Sequence, residues 1–167
     1  MSDQIVIDTL DFVRNAGSLH GRVYPCDLQR LQDYLADKAG ELVYSIEGLC
    51  DNQSRPMLRI AVRGTVNLSC QRCLEKLEHA LELESQLLLA RNEDELCRYD
   101  EDVAVDAIMA SAALDILTLV EDEIILSLPN SPRHQDIACL TTSKLEIYRA
   151  ATDEHPFAAL ATLKQSH

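Results

Sequence analysis

The chain has 167 residues, 47% of them apolar, and its 28 acidic side chains outweigh 15 basic ones to give a formal charge of −13. That size and apolar content suit a single domain with a real core. No apolar run approaches the ~20 residues that a membrane-spanning helix needs, and so strong a negative charge repels a phosphate backbone, which argues against DNA or any broad nucleic-acid surface as a direct ligand.

The opening Met1-Ser2-Asp3-Gln4-Ile5 lacks the basic and apolar regions of a secretory signal, so a cytoplasmic setting is expected. In that setting the cysteines at 26, 50, 70, 73, 97 and 139 are expected as free thiols rather than disulfides.

In chain order, Ile5-Val6-Ile7 reads as a short strand, and Asp8 to Gly21 as a loop. Asp27 is placed to cap a helix over 27–38, because Leu28, Leu31, Tyr34 and Leu35 share a face and Gly40 can end it. Leu42 to Leu49 alternates as a strand. Cys50 to Pro56 is rich in turn formers.

The longest pattern runs from Arg55 to Leu89. Leu58, Ile60, Val62, Val66 and Leu68 alternate with Arg59, Arg63, Thr65 and Asn67, then Leu77, Leu81, Leu83, Leu87 and Leu89 alternate with Glu78, Glu82, Glu84 and Gln86. Alternation of this kind predicts two half-buried strands joined as a hairpin at Cys70-Gln71-Arg72-Cys73. With Cys70 opposite Cys73, Val66 meets Leu77, Val62 meets Leu81, Ile60 meets Leu83 and Gly64 meets His79. A slip of one residue would put leucines against arginines, so the pattern selects this register or one two residues away. Gln-Arg is a poor tight turn, which implies a wider loop or a loop held by something.

Arg91 to Asp102 is acidic and reads as an exposed loop, and Val103 with Val105 as a brief strand. Asp115 can cap the strongest helix, over 114–128, whose apolar stripe is Ile116, Leu117, Val120, Ile124 and Leu128. Pro129 and Pro132 stop it. Ser131 to Ser143 reads as loop, and Pro156 to Lys164 as a short terminal helix. The fold expected is α+β: an antiparallel β-meander with a long Cys-x-x-Cys hairpin, packed against two or three helices. It forms one domain over 1–167, with a core of about 5–130 and a partly looped extension over 131–167.

Three constellations can carry chemistry. Cys70 and Cys73 have the spacing for two corners of a tetrahedral zinc site, with His134 and Cys139 as the other pair. The competing reading is reduced thiols that pack as small apolar groups. Arg59 and Arg63 can contact RNA or an acidic protein, or be neutralised by Glu78, Glu82 and Glu84 across the hairpin. Arg55 and Arg72 lack such partners in the pattern and are the better contact candidates. Glu121, Asp122 and Glu123 splay around a helix too widely to share one ion, which favours a solvated face or a site for a basic partner. No phosphate loop, nucleophile elbow or His-Glu-x-x-His motif is present, so an enzyme is not expected.

Taken together, Cys70-Gln71-Arg72-Cys73-Leu74, Val120-Glu121-Asp122-Glu123-Ile124-Ile125-Leu126-Ser127-Leu128-Pro129, Pro132-x-His134 and Pro156-Phe157-Ala158 before Leu163-Lys164 resemble the YceD family of large ribosomal RNA subunit accumulation proteins. The resemblance runs from about residue 40 to the end. It implies a non-enzymatic role in synthesis, processing or stability of 23S ribosomal RNA, and its motifs fall on Cys70, Arg72, Cys73, Glu121, Asp122 and Glu123. Some relatives carry a second cysteine pair near the C-terminus, where this chain has His134 and Cys139. The partner implied is a ribosomal or RNA-processing protein, or a pre-large-subunit particle, with at most local contact to ribosomal RNA through Arg55 and Arg72. No cofactor is implied, zinc at Cys70 and Cys73 being the alternative. The rival readings are a zinc- or thiol-dependent protein and a general adaptor.

Overall fold

The computed structural model describes residues 5–135 and Cys139; the terminal helix expected over 156–164 lies outside them. In order come β1 (Val6–Ile7), α1 (Thr9–Arg14), β2 (Ser18–Val23), two 3₁₀ turns (Pro25–Asp27 and Leu31–Tyr34) and β3 (Leu42–Cys50). There follow β4 (Pro56–Ser69), β5 (Lys76–Ala90), α2 (Glu93–Asp100), β6 (Asp106–Met109), β7 (Leu114–Asp115) and α3 (Ile116–Ser127). The class is α+β. A five-stranded sheet in the order β2-β3-β4-β5-β6 is antiparallel except for its last pair, and β1 pairs with β7 in a separate ribbon.

The expected meander therefore gains a strand on each side. The segment 8–21, expected as loop, holds α1 and most of β2. Asp8 caps α1 by accepting from the Asp11 amide, and Gly48 on β3 lets the helix close in, since a Cβ there would lie 2.8 Å from the Val13 Cα. The acidic stretch 91–102, also expected as loop, contains α2. It crosses from β5 to the parallel β6, which begins at Asp106 rather than at Val103; a parallel neighbour requires such a crossover.

The hairpin register is the alternative one, two residues from the first choice. Ser69 pairs with Lys76, so residues 70–75 form a wider loop, and Val62 faces Leu83 while Gly64 faces Leu81. Parity is kept, and with it the apolar face. Leu42, Ile46, Leu58, Ile60, Val62, Val66 and Leu89 are buried there beneath α3, which contributes Ile116, Leu119, Val120 and Ile124. At roughly 25 cal/mol per Å² of apolar surface removed from water, this layer is the main stabilising term.

The helix expected over 27–38 is replaced by the two 3₁₀ turns. Leu28 and Leu31 are buried as the pattern required, but the turn at Leu31 is organised from α3. The buried Glu121 carboxylate accepts from the amides of Arg30 (2.7 Å) and Leu31 (3.0 Å) and from Arg30 Nε (3.0 Å). Among the described residues, no helix is long and apolar enough to cross a membrane.

Candidate metal centre

At the end of β4 the chain turns through a loop closed by its own backbone. The Cys70 amide donates to the Glu75 carbonyl at 2.9 Å, and the Leu74 amide to the Cys70 carbonyl at 2.9 Å. Leu74 adopts φ 63, a left-handed conformation that costs a side-chain-bearing residue about 1–2 kcal/mol. The loop is anchored sideways. Asp37 accepts from Asn67 Nδ2 at 2.7 Å and pairs with Lys76 Nζ at 3.0 Å.

After α3, Pro129 and Pro132 prevent further helix, and the returning segment meets the loop. The Gln71 amide donates to the Pro132 carbonyl at 2.8 Å. This contact brings His134 beside Cys73, with Nδ1 3.4 Å from the sulfur. One ligand atom each from Cys70, Cys73, His134 and Cys139 then lies within 4.8 Å of every other. The four residues named as one candidate ligand set thus lie together in the fold.

The donor set fits zinc. Three sulfurs and one imidazole nitrogen match a structural site, in which ligand atoms sit about 4 Å apart around the ion. His134 Nε2 lies 3.1 Å from the Lys76 carbonyl, which can only accept; the neutral tautomer with its hydrogen on Nε2 would satisfy that carbonyl and turn the Nδ1 lone pair toward the sulfurs. Burial pushes the Cys70 thiol up, but the amides of Cys73, His134 and Arg72 and the Cys73 thiol outweigh it and hold Cys70 at about 6. The Glu75 amide draws Cys73 down, but burial and the Cys70 and Cys139 sulfurs leave it raised. Packed sulfurs resist becoming anionic together, and a divalent cation removes that resistance.

The other candidate residues are mostly engaged. Arg55, expected as a free contact, binds Asp51 at 2.6 Å and lies 5.4 Å over the Tyr99 ring. Arg59 spans Glu47 (3.7 Å) and Glu84 (3.6 Å), and Arg63 pairs with Glu82 at 3.5 Å, so the cross-strand neutralisation applies. Arg72, the other expected contact, places Nη1 3.6 Å from the Cys139 sulfur. Glu121 is buried, Asp122 binds Arg30 Nη1 at 2.5 Å, and Glu123 turns to a different groove. The acidic block is therefore split, two of its members being used inside the fold. Arg30 and Asp37, which organise these contacts, carry no sequence signal, because their partners lie far along the chain.

No solved structure matches the chain. The large ribosomal RNA subunit accumulation protein YceD of Haemophilus influenzae is 28% identical over 143 residues, covering 83% of this chain and 82% of that protein. Residues 58–164, which include the hairpin loop, α3 and all four clustered ligands, match the family described as large ribosomal RNA subunit accumulation protein YceD, and to that family the chain belongs.

Proposed function

We propose that this protein supports the accumulation of 23S ribosomal RNA in the cytoplasm, as a non-enzymatic factor of large-subunit biogenesis that holds a ribosomal or processing protein on a maturing particle. Membership of the YceD family carries this reading. The charge of −13 and the ion-paired state of Arg55, Arg59 and Arg63 support a protein partner over extended RNA contact, since each phosphate contact needs a cation to spare. The cluster at Cys70, Cys73, His134 and Cys139 would hold structural zinc. Four protein ligands leave no position for a substrate, which is the arrangement of building rather than catalytic sites. The test is the ratio of 23S to 16S RNA in cells lacking the protein, with 23S precursor ends mapped in fast and slow growth. A selective fall in 23S or a rise in its precursors is expected, and an unchanged ratio in both regimes would overturn the proposal.

A further inference from the structure

We propose that the groove between the C-terminal half of α3 and the β5–β6 edge seats a basic, amphipathic segment of a partner protein. The groove encloses about 530 Å³, with Leu83, Ile108 and Leu126 among its apolar lining. Leu126 is 80% exposed, although α3 is otherwise a core helix. Asp100, Asp106 and Glu123 share this lining with no Lys or Arg, and none of the three makes an ion pair among the described residues. Glu84 also borders the groove, but its carboxylate lies 3.6 Å from Arg59 on the opposite face of the sheet. Ser85 also borders the groove, and its hydroxyl oxygen is buried without a hydrogen-bond partner.

These features select the occupant by complementarity. An acid-rimmed groove repels phosphate, so RNA is disfavoured. A free metal cation would have no use for exposed leucine. A segment whose lysines or arginines meet the rim while an aliphatic side chain covers Leu126 satisfies both, as an amphipathic helix does when it lies in a groove. Of the Glu121-Asp122-Glu123 block only Glu123 lines the groove, Glu121 and Asp122 being taken by Arg30.

The assignment deepens the partner-binding reading above and rests on it for the ribosomal setting alone. The test is fluorescence anisotropy of the full chain, loaded with zinc, against a labelled peptide of about four helical turns with leucines on one face and lysines on the other. Matched probes replace its leucines by serine or its lysines by glutamate, and an RNA oligonucleotide completes the set. The Lys/Leu peptide is expected to bind, and the other three at least about tenfold more weakly. Leu126→Ser, which leaves charge untouched, and Glu123→Lys are each expected to weaken binding about tenfold. Glu78→Lys, the same charge change on β5 outside the groove, is expected to weaken it by less than about threefold.

Equal losses for Glu123→Lys and Glu78→Lys would show mere charge attraction and overturn the proposal. No effect of Leu126→Ser, or equal binding of the Lys/Ser peptide, would do the same. Displacement of the Lys/Leu peptide by a free peptide of residues 141–167 would give the groove to the chain itself. Asp106→Lys serves as a second rim variant if circular dichroism shows Glu123→Lys to be misfolded. A normal 23S ratio with intact peptide binding would remove the ribosomal reading and leave the groove, whereas a fallen ratio without peptide binding would do the reverse.

Discussion

Glu121 is the residue on which two parts of the fold depend. It sits in α3 at 7% exposure, yet its carboxylate accepts from two amides and a guanidinium of the Arg30–Leu31 segment. An acceptor with three donors is worth retaining in a core because its removal strands all of them. Glu121→Ala is expected to destabilise the protein by about 2–4 kcal/mol, read as a lower urea midpoint with little change in slope. Glu121→Gln keeps one acceptor oxygen and should lose less than the alanine variant. Asp122→Ala, half-exposed at its side chain, should cost no more than about 1 kcal/mol. Equal effects of the two alanine substitutions would show that the α3 acids act as surface charge. Sequence alone marks Glu121 as part of a charged block, and nothing in the spacing says that it turns inward, because its partners lie 91 and 90 positions away.

Elements declare themselves in sequence when their own side chains carry the stabilising pattern. β4 and β5 do, because one face of each is buried and a one-residue slip would exchange leucine for charge. α3 does, because Asp115 caps it with bonds to the Leu117 and Thr118 amides and its stripe repeats with helical period. α2 buries no residue fully, and its apolar face is only Leu96 and Tyr99, both half-buried, too short a stripe to stand out in an acidic run. It is set by its ends: Asn92 accepts from the Glu95 amide at 2.9 Å and Glu95 accepts from the Arg91 amide at 2.7 Å. Asn92-Glu93-Asp94-Glu95 is in fact a capping-box pattern, a signal present in the sequence but outweighed by its polarity. The segment 27–38 fails the opposite way, showing a helical stripe where the inserted Glu121 carboxylate enforces 3₁₀ turns. Register depended on loop width, which Cys70-Gln71-Arg72-Cys73 does not specify. In the observed register Gly64 lies between β3 and Leu81 with φ +154, and a Cβ there would stand 2.4 Å from the Glu41 carbonyl oxygen and 2.7 Å from Leu42 Cδ2. Gly64→Ala is therefore expected to cost about 2 kcal/mol or more in thermal or urea unfolding. Ala80→Ser, on the exposed face of the same hairpin, should stay within about 0.5 kcal/mol of the parent. A neutral Gly64→Ala would mean that the strands pair in another register.

Across the whole molecule, the cluster joins the hairpin tip to the segment that follows α3. Its chemistry was legible, since Cys-x-x-Cys and the His134 and Cys139 pair have the right donors. Their convergence was not, because it depends on the Gln71–Pro132 backbone bond and on a loop wide enough to turn both thiols toward His134. Zinc in this position would close a loop of more than 60 residues, so its removal would act on the fold as a whole. An ion bound only by the folded state stabilises it by mass action, by about 4 kcal/mol when present at a thousandfold excess over its dissociation constant. Protein purified from zinc-replete cells is expected to hold about one zinc per chain, to lose it with Cys73→Ser or His134→Ala, and to keep it with Cys26→Ser, whose thiol is exposed and outside the cluster. Chelation should lower the unfolding temperature and speed tryptic cleavage after the exposed Arg133, since that segment is then held by fewer bonds. Acid should do the same without a chelator, because protons compete with the ion for thiolate and imidazole. The stabilisation is thus present at neutral pH and lost as pH falls. Zinc-free protein that unfolds and is cleaved like the loaded one would leave the four side chains as a packed cluster of thiols, and would remove the metal from the account of the fold.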